Sequence, residues 1–176
     1  MAYNLSKGEK FLAPLHVLIV EDDPLMTKLL RDVLHALGFR DIHKVTDGVQ
    51  ALDYMKSNAV DLVLCDWLMQ NMDGIAFTRQ IRADSLSPNR FVPILMLTGK
   101  ADRKSVENAR DAGVTEYLIK PFSLRDLCEH IREAIEHPRN FIVSTHYKGP
   151  DRRRRDVGAP DGKERRHQVT LLLDSV

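Results

Sequence analysis

The sequence has little of what would cross-link a small fold or carry it through a membrane. Its 176 residues include only two cysteines, Cys65 and Cys128, each inside an apolar or amphipathic segment. Neither a disulfide framework nor a zinc site with paired spacing is expected. No apolar run approaches the roughly 20 residues a spanning helix needs, and the first ten residues lack the apolar core of a signal peptide. A protein of the reducing cytoplasm, without membrane insertion, is expected. A surplus of one charge is also lacking, with 26 Lys and Arg against 25 Asp and Glu. That balance hides a split. Residues 148–176 carry eight basic against five acidic side chains, +3, and the rest carries 18 against 20, −2. A basic appendage on an acidic body suggests an anionic partner for the appendage, although a solvated, disordered end explains the charge as cheaply.

A hydrophobic fraction of 43% is that of a globular protein, and the length suits one domain plus an appendage. Residues 1–14 have no period and end in Pro14, which reads as a loose N-terminal lead. From 15 onward short apolar runs alternate with helical patterns. Strands are expected at 15–20, 42–45, 61–66, 93–98 and 115–119, and helices at 24–37, 47–57, 75–83, 102–112 and 123–135. Pro24 suits a first helical position, with Asp23 as the cap before it, and Ser123 caps the last helix. Strict alternation predicts an α/β fold, a doubly wound five-stranded parallel sheet with helices on both faces, because each parallel step needs a crossover. The compact domain is expected over 15–137. Residues 138–176 are expected to form a basic, Arg-rich, flexible extension, within which 169–173 could pair as a strand or dock as an apolar plug.

The central strand ends abruptly on Asp66. In such a sheet the carboxyl ends of all strands share one edge, where ligands bind. Glu21-Asp22-Asp23 follows the first strand, Thr98-Gly99 the fourth and Lys120-Pro121 the fifth. Carboxylates gathered in one place repel, and a hard cation relieves them. Mg2+ fits an oxygen shell with open positions for phosphate oxygens. Asp66 would then be a nucleophile toward phosphorus, with Lys120 neutralising charge and Thr98 donating to a phosphoryl oxygen. A dinucleotide site fails at the first strand, where a phosphate-cradling turn needs glycines and finds three acids.

These residues, in order, resemble the receiver domain of two-component response regulators, of the chemotaxis type, across 15–137. The resemblance is carried by Val-Glu-Asp-Asp-Pro at 20–24, Asp66 followed by Met69, Met72-Asp73-Gly74, Thr98-Gly99, and Lys120-Pro121-Phe122. It implies a flavodoxin-like sheet of order 2-1-3-4-5, and Mg2+ held by Asp22, Asp23, Asp66 and the backbone carbonyl of Leu68. It also implies phosphotransfer to Asp66 from a histidine kinase or phosphotransfer protein, and a cis bond before Pro121. Tyr117 matches the switch aromatic of such domains. The output surface would be the helix from Asp102, the strand at Tyr117 and the helix from Ser123, where a downstream protein would bind. Members commonly carry proline where this chain has Gln70.

No DNA-reading helix follows, so sequence-specific DNA binding is not expected and the chain resembles a stand-alone regulator. Arg152, Arg153, Arg154, Arg155, Arg165 and Arg166 suit phosphate recognition. The stretch from Tyr147 to Arg155 is similar to arginine-rich extensions that bind cyclic di-GMP; loose binding of RNA or an acidic partner, and plain disorder, are the other readings. An alternative for the body is a Mg2+-dependent phosphohydrolase with Asp66 as nucleophile. Such enzymes usually place a second acid two residues on, where this chain has Leu68. The domain is therefore expected to be a switch and not a turnover enzyme.

Overall fold

A computed structural model describes residues 12–85, 87, 89–144, 147–151 and the backbone of 167–169. Five strands, β1 (His16–Val20), β2 (Asp41–Val45), β3 (Leu62–Asp66), β4 (Ile94–Thr98) and β5 (Glu116–Ile119), form one parallel sheet in the order β2-β1-β3-β4-β5. They alternate with α1 (Pro24–Leu37), α2 (Gly48–Met55), α3 (Gly74–Ala83), α4 (Arg103–Ala112) and α5 (Leu124–Glu136). Every helix starts on a side chain that accepts its orphan amides: Asp23, Asp47, Asp73, Asp102 and Ser123.

The period of two along the strands splits the core between the faces. Leu18, Val20, Val63, Cys65, Ile94 and Met96 meet α2, α3 and α4 through Met55, Phe77, Ile81 and Ala109. Val17, Ile19, Leu62, Leu64, Leu95 and Leu97 meet α1 and α5 through Leu30, Leu34, Leu127 and Ile131. β3 and β4 are buried at every residue, which is why both read as unbroken apolar runs. Among the described residues no helix is long and apolar enough to cross a membrane.

The ordered body continues past the expected end near His137. β6 (Phe141–Val143) pairs antiparallel with β7 (Lys148–Pro150) on one side and with β8 (His167–Val169) on the other. Strands of three residues are too short to show a period, so the segment read as irregular. Phe141 is buried, edge-on to Phe91 at 4.7 Å between ring centroids. It also covers Arg82 of α3, whose guanidinium carbon lies 5.3 Å from the Phe141 ring centroid. Arg82 is 1% exposed and donates to the carbonyls of Gly113 (3.1 Å), Arg90 (2.8 Å) and Val92 (2.7 Å). Burial pulls its pKa down to about 9, so it stays charged at neutral pH.

Arg82 thus ties α3, the approach to β4, the end of α4 and β6 to one another. Arg82→Ala empties that space and strands three carbonyls, and is expected to cost about 3 kcal/mol of stability. Urea unfolding checks this; a loss within ~0.5 kcal/mol of zero, the range of ordinary surface substitutions, would show that the contacts carry little.

Candidate functional site

The strand order puts the ends of β1, β3, β4 and β5 side by side. Asp66, the last residue of β3, is 7% exposed, and both its carboxylate oxygens are engaged. Oδ1 accepts from Lys120 Nζ at 2.6 Å, and Oδ2 accepts from the Leu68 amide at 2.8 Å. Lys120 reaches in from the end of β5, through a cis Lys120–Pro121 peptide bond, and also donates to Glu21 Oε2 at 3.0 Å. One oxygen each from Glu21, Asp22 and Asp66 lie within 4.8 Å of one another.

Asp23 takes the cap role its place before Pro24 suggests, its Oδ1 accepting from the Leu25 amide at 2.8 Å, and the group of carboxylates contains Glu21 where Asp23 was also expected as a ligand. Glu21 was visible in the acidic run after β1, but which two of three consecutive acids turn inward depends on where the helix starts, and Pro24 fixes that start. The Leu68 side chain is 61% exposed at the site's edge and brings no acid. Gly74 opens α3 against the backbone of Asp66. A Cβ there would lie 2.3 Å from the Asp66 carbonyl oxygen, so only glycine lets the helix approach this closely.

Burial and the neighbouring Asp66 charge raise the Glu21 pKa, against the hydrogen bond from Lys120. For Lys120, burial disfavours the charge, but hydrogen bonds to Asp66 and Glu21 outweigh it and the pKa rises. The Cys65 thiol, wholly buried beside Asp66, is pushed well up and serves as core. Three carboxylates and one ammonium leave a net charge of −2 when all are ionised. Hard oxygen donors with that residual charge suit Mg2+, and Glu21, Asp22 and Asp66 are the residues that would hold it.

Thr98, 1% exposed at the end of β4, accepts from the Lys100 amide at 3.0 Å. The Tyr117 hydroxyl donates to the Lys100 carbonyl at 2.5 Å. Tyr117 is therefore folded inward, edge-on to Trp67 (6.2 Å between centroids), and Lys100 Nζ sits over the Trp67 ring at 4.7 Å from its centroid. Lys100, two residues beyond Thr98, is marked by its position in the sequence, but its contact with Trp67, the residue after Asp66, is not. On the neighbouring face Val106, Ala109 and Arg110 of α4, Val114, Tyr117 and Arg139 line a groove. Glu116 is held by Arg139 and, at 3.1 Å, by His130 of α5. Arg152, Arg153, Arg154, Arg155, Arg165 and Arg166 lie outside the described residues.

A family profile for the response regulator receiver domain matches residues 17–132. The chain is 36% identical over 120 residues to the chemotaxis protein CheY-3 of Vibrio cholerae serotype O1, covering 68% of this chain and 91% of that one. It is equally identical over 120 residues to the chemotaxis protein CheY of Pseudomonas aeruginosa, covering 68% and 95%. Among solved structures it is similar to the receiver domain of a Pseudomonas aeruginosa sensor histidine kinase, solved with a magnesium ion coordinated in its active site cleft. That match has a TM-score of 0.62 and 34% identity, covering 69% of this chain and 98% of the other. The chemotaxis regulator CheY4 of Vibrio cholerae matches with a TM-score of 0.62 and 27% identity, covering 68% and 97%.

The raised Glu21 pKa has a sign that can be measured in the metal-free protein. Below the ordinary glutamate value of 4.5 the group is protonated folded or unfolded. As pH rises through the window above that value the folded state keeps a proton the unfolded state has released, and stability falls. Glu21→Gln removes this loss, so in EDTA the variant's stability relative to the parent is expected to rise from pH 4 to neutrality. Urea midpoints across that range check it; a flat or falling difference would contradict the assignment.

Proposed function

Because the chain belongs to the response regulator receiver domain family, we propose that it is a phosphorylation-dependent switch of a two-component system in which Asp66 accepts the phosphoryl group. Receiver domains and their chemotaxis relatives are signalling proteins and not turnover enzymes. The observation that carries the assignment is the Lys120 ammonium, which bridges Asp66 and Glu21 at the centre of the acidic cluster.

The donor is the phosphohistidine of a histidine kinase or phosphotransfer protein. A carboxylate oxygen of Asp66 attacks phosphorus; the P–N bond breaks, its electron pair stays on the imidazole, and an acyl phosphate forms. Lys120 offsets charge on the transferring oxygens, and Thr98 offers its hydroxyl to one of them. Mg2+, held by Glu21, Asp22 and Asp66 with the Leu68 carbonyl as a further oxygen, would supply charge neutralisation for the phosphoryl group. Lys100 donates its amide to the Thr98 hydroxyl and accepts from Tyr117 at its carbonyl, so drawing the Thr98 hydroxyl toward the phosphoryl group loosens Tyr117 from its inward position. The signal then leaves on the face of α4, β5 and α5, to a downstream protein. The phosphohydrolase alternative lacks its second acid, since Leu68 occupies that position.

Labelling with acetyl phosphate and Mg2+ tests the reading. The parent chain is expected to gain one phosphoryl group that hydroxylamine removes, and Asp66→Asn to gain none. Retention of label in the variant would overturn it.

For the extension we propose an anionic ligand such as cyclic di-GMP, on the strength of the Arg run at 152–155. Gly149 and Pro150 pack into the body, so substitution tests this more cleanly than truncation. Replacing Arg152, Arg153, Arg154 and Arg155 by Ala in the full chain is expected to abolish binding in a cyclic di-GMP titration. Equal binding by both chains, or binding by neither, would remove the proposal.

A further inference from the structure

The loop that follows Asp66 brings the Leu68 amide to Asp66 Oδ2, and so orients the carboxylate itself. At its root it is fixed to the sheet. The Trp67 amide donates to the Leu97 carbonyl (2.9 Å), and the Gly74 amide to the Trp67 carbonyl (3.0 Å). The crest, 68–72, turns on itself, with the Met72 amide donating to the Gln70 carbonyl at 2.7 Å and Asn71 at a φ of 60°. Asparagine is among the few residues that accept this left-handed backbone.

The hydrogen bonds described between the crest and another element lead to the start of α2. Asn71 Nδ2 donates to Asp47 Oδ2 at 3.0 Å, and the Gly48 amide donates to the Met72 carbonyl at 3.2 Å. No space is left between the two. A Cβ on Gly48 would lie 2.8 Å from Met72 Cγ and 2.9 Å from Phe77 Cβ. Asp47 is 5% exposed, and its two oxygens divide the work. Oδ1 accepts the Val49 and Gln50 amides at 2.8 and 2.9 Å and completes the cap of α2. Oδ2 faces the loop and takes Asn71, with Gln50 Nε2 at 3.1 Å. A cap needs one oxygen, and the second is spent on a loop 24 residues away.

We infer that Asp47 and Asn71 brace the crest of this loop from α2, and are thereby positioning residues for the Leu68 amide, the Asp66 carboxylate and the cation it helps to hold. The inference rests on the reading of the acidic cluster given above. Groups that orient a metal's ligands characteristically govern affinity without touching the metal. The residue types fit: glycine at 71 would adopt the backbone but offer no donor, and aspartate there would oppose Asp47.

Three variants separate the brace from the cap and the backbone. Asn71→Gly keeps the left-handed conformation and loses the donor. Asp47→Ser keeps a good cap and is too short to reach Asn71. Asp47→Asn keeps both a cap and an acceptor. The full chain is titrated with MgCl2, followed by calorimetry and by the fluorescence of its one tryptophan, Trp67. Asn71→Gly and Asp47→Ser are expected to weaken Mg2+ binding about ten-fold, with little change in the unfolding midpoint in EDTA, and Asp47→Asn to bind nearly as the parent does. In EDTA the Leu68 amide is expected to exchange with solvent faster in the first two variants. Parental Mg2+ affinity and parental Leu68 exchange in those two variants would overturn the brace, as would an affinity loss matched by a loss of metal-free stability. A parent chain that binds no Mg2+ would strike the reading of the cluster instead.

Discussion

Everything at the sheet edge depends on one electrostatic compromise. Glu21, Asp22 and Asp66 stand within 4.8 Å of one another, two of them almost fully buried, and one ammonium from Lys120 spans Glu21 and Asp66. A single lysine cannot neutralise three carboxylates, and burial together with the Asp66 charge raises the Glu21 pKa. The site therefore favours whatever brings positive charge. Such a cluster costs stability when it is unfilled, and the surrounding core is arranged to hold it. β3 and β4 are buried throughout, Gly74 lets α3 press against the Asp66 backbone, and the Lys120–Pro121 turn aims Lys120 across the gap.

The parallel sheet was legible because its signals are local. An apolar run such as Leu62–Asp66 between two Asp-capped helices states both its burial and its direction, and alternation with helices dictates a parallel sheet. Asp66, Thr98 and Lys120 were legible for the same reason, as the residues that follow strands. The acidic run shows where this stops: Pro24 marks Asp23 as the helix cap, but that Glu21 and Asp22 are the acids grouped with Asp66 emerges only in the fold. Trp67 and its contact with Lys100 were missed because that contact joins two loops that no periodicity describes. β6, β7 and β8 were missed because three-residue strands make sense only once paired.

The arginine inside α3 illustrates a similar non-locality. Arg82 looks like one more solvated position on an amphipathic helix, yet its guanidinium is enclosed by carbonyls from three other segments and by Phe141. The planar fork of arginine satisfies such a set of acceptors where lysine could not. Its burial makes Phe141, past α5, part of the body's own packing.

The two neighbours Glu116 and Tyr117 on β5 have a mechanical consequence. Successive residues point to opposite faces of a sheet. Glu116 is gripped by Arg139 and His130 on the α5 side, while Tyr117 is latched to Lys100 on the other. With one residue clamped, β5 behaves as a fixed axle. In the proposed switch, release of Tyr117 would turn a side chain about it without sliding the strand, so motion at Asp66 would become a change of surface shape while the sheet register beneath it stays as it was.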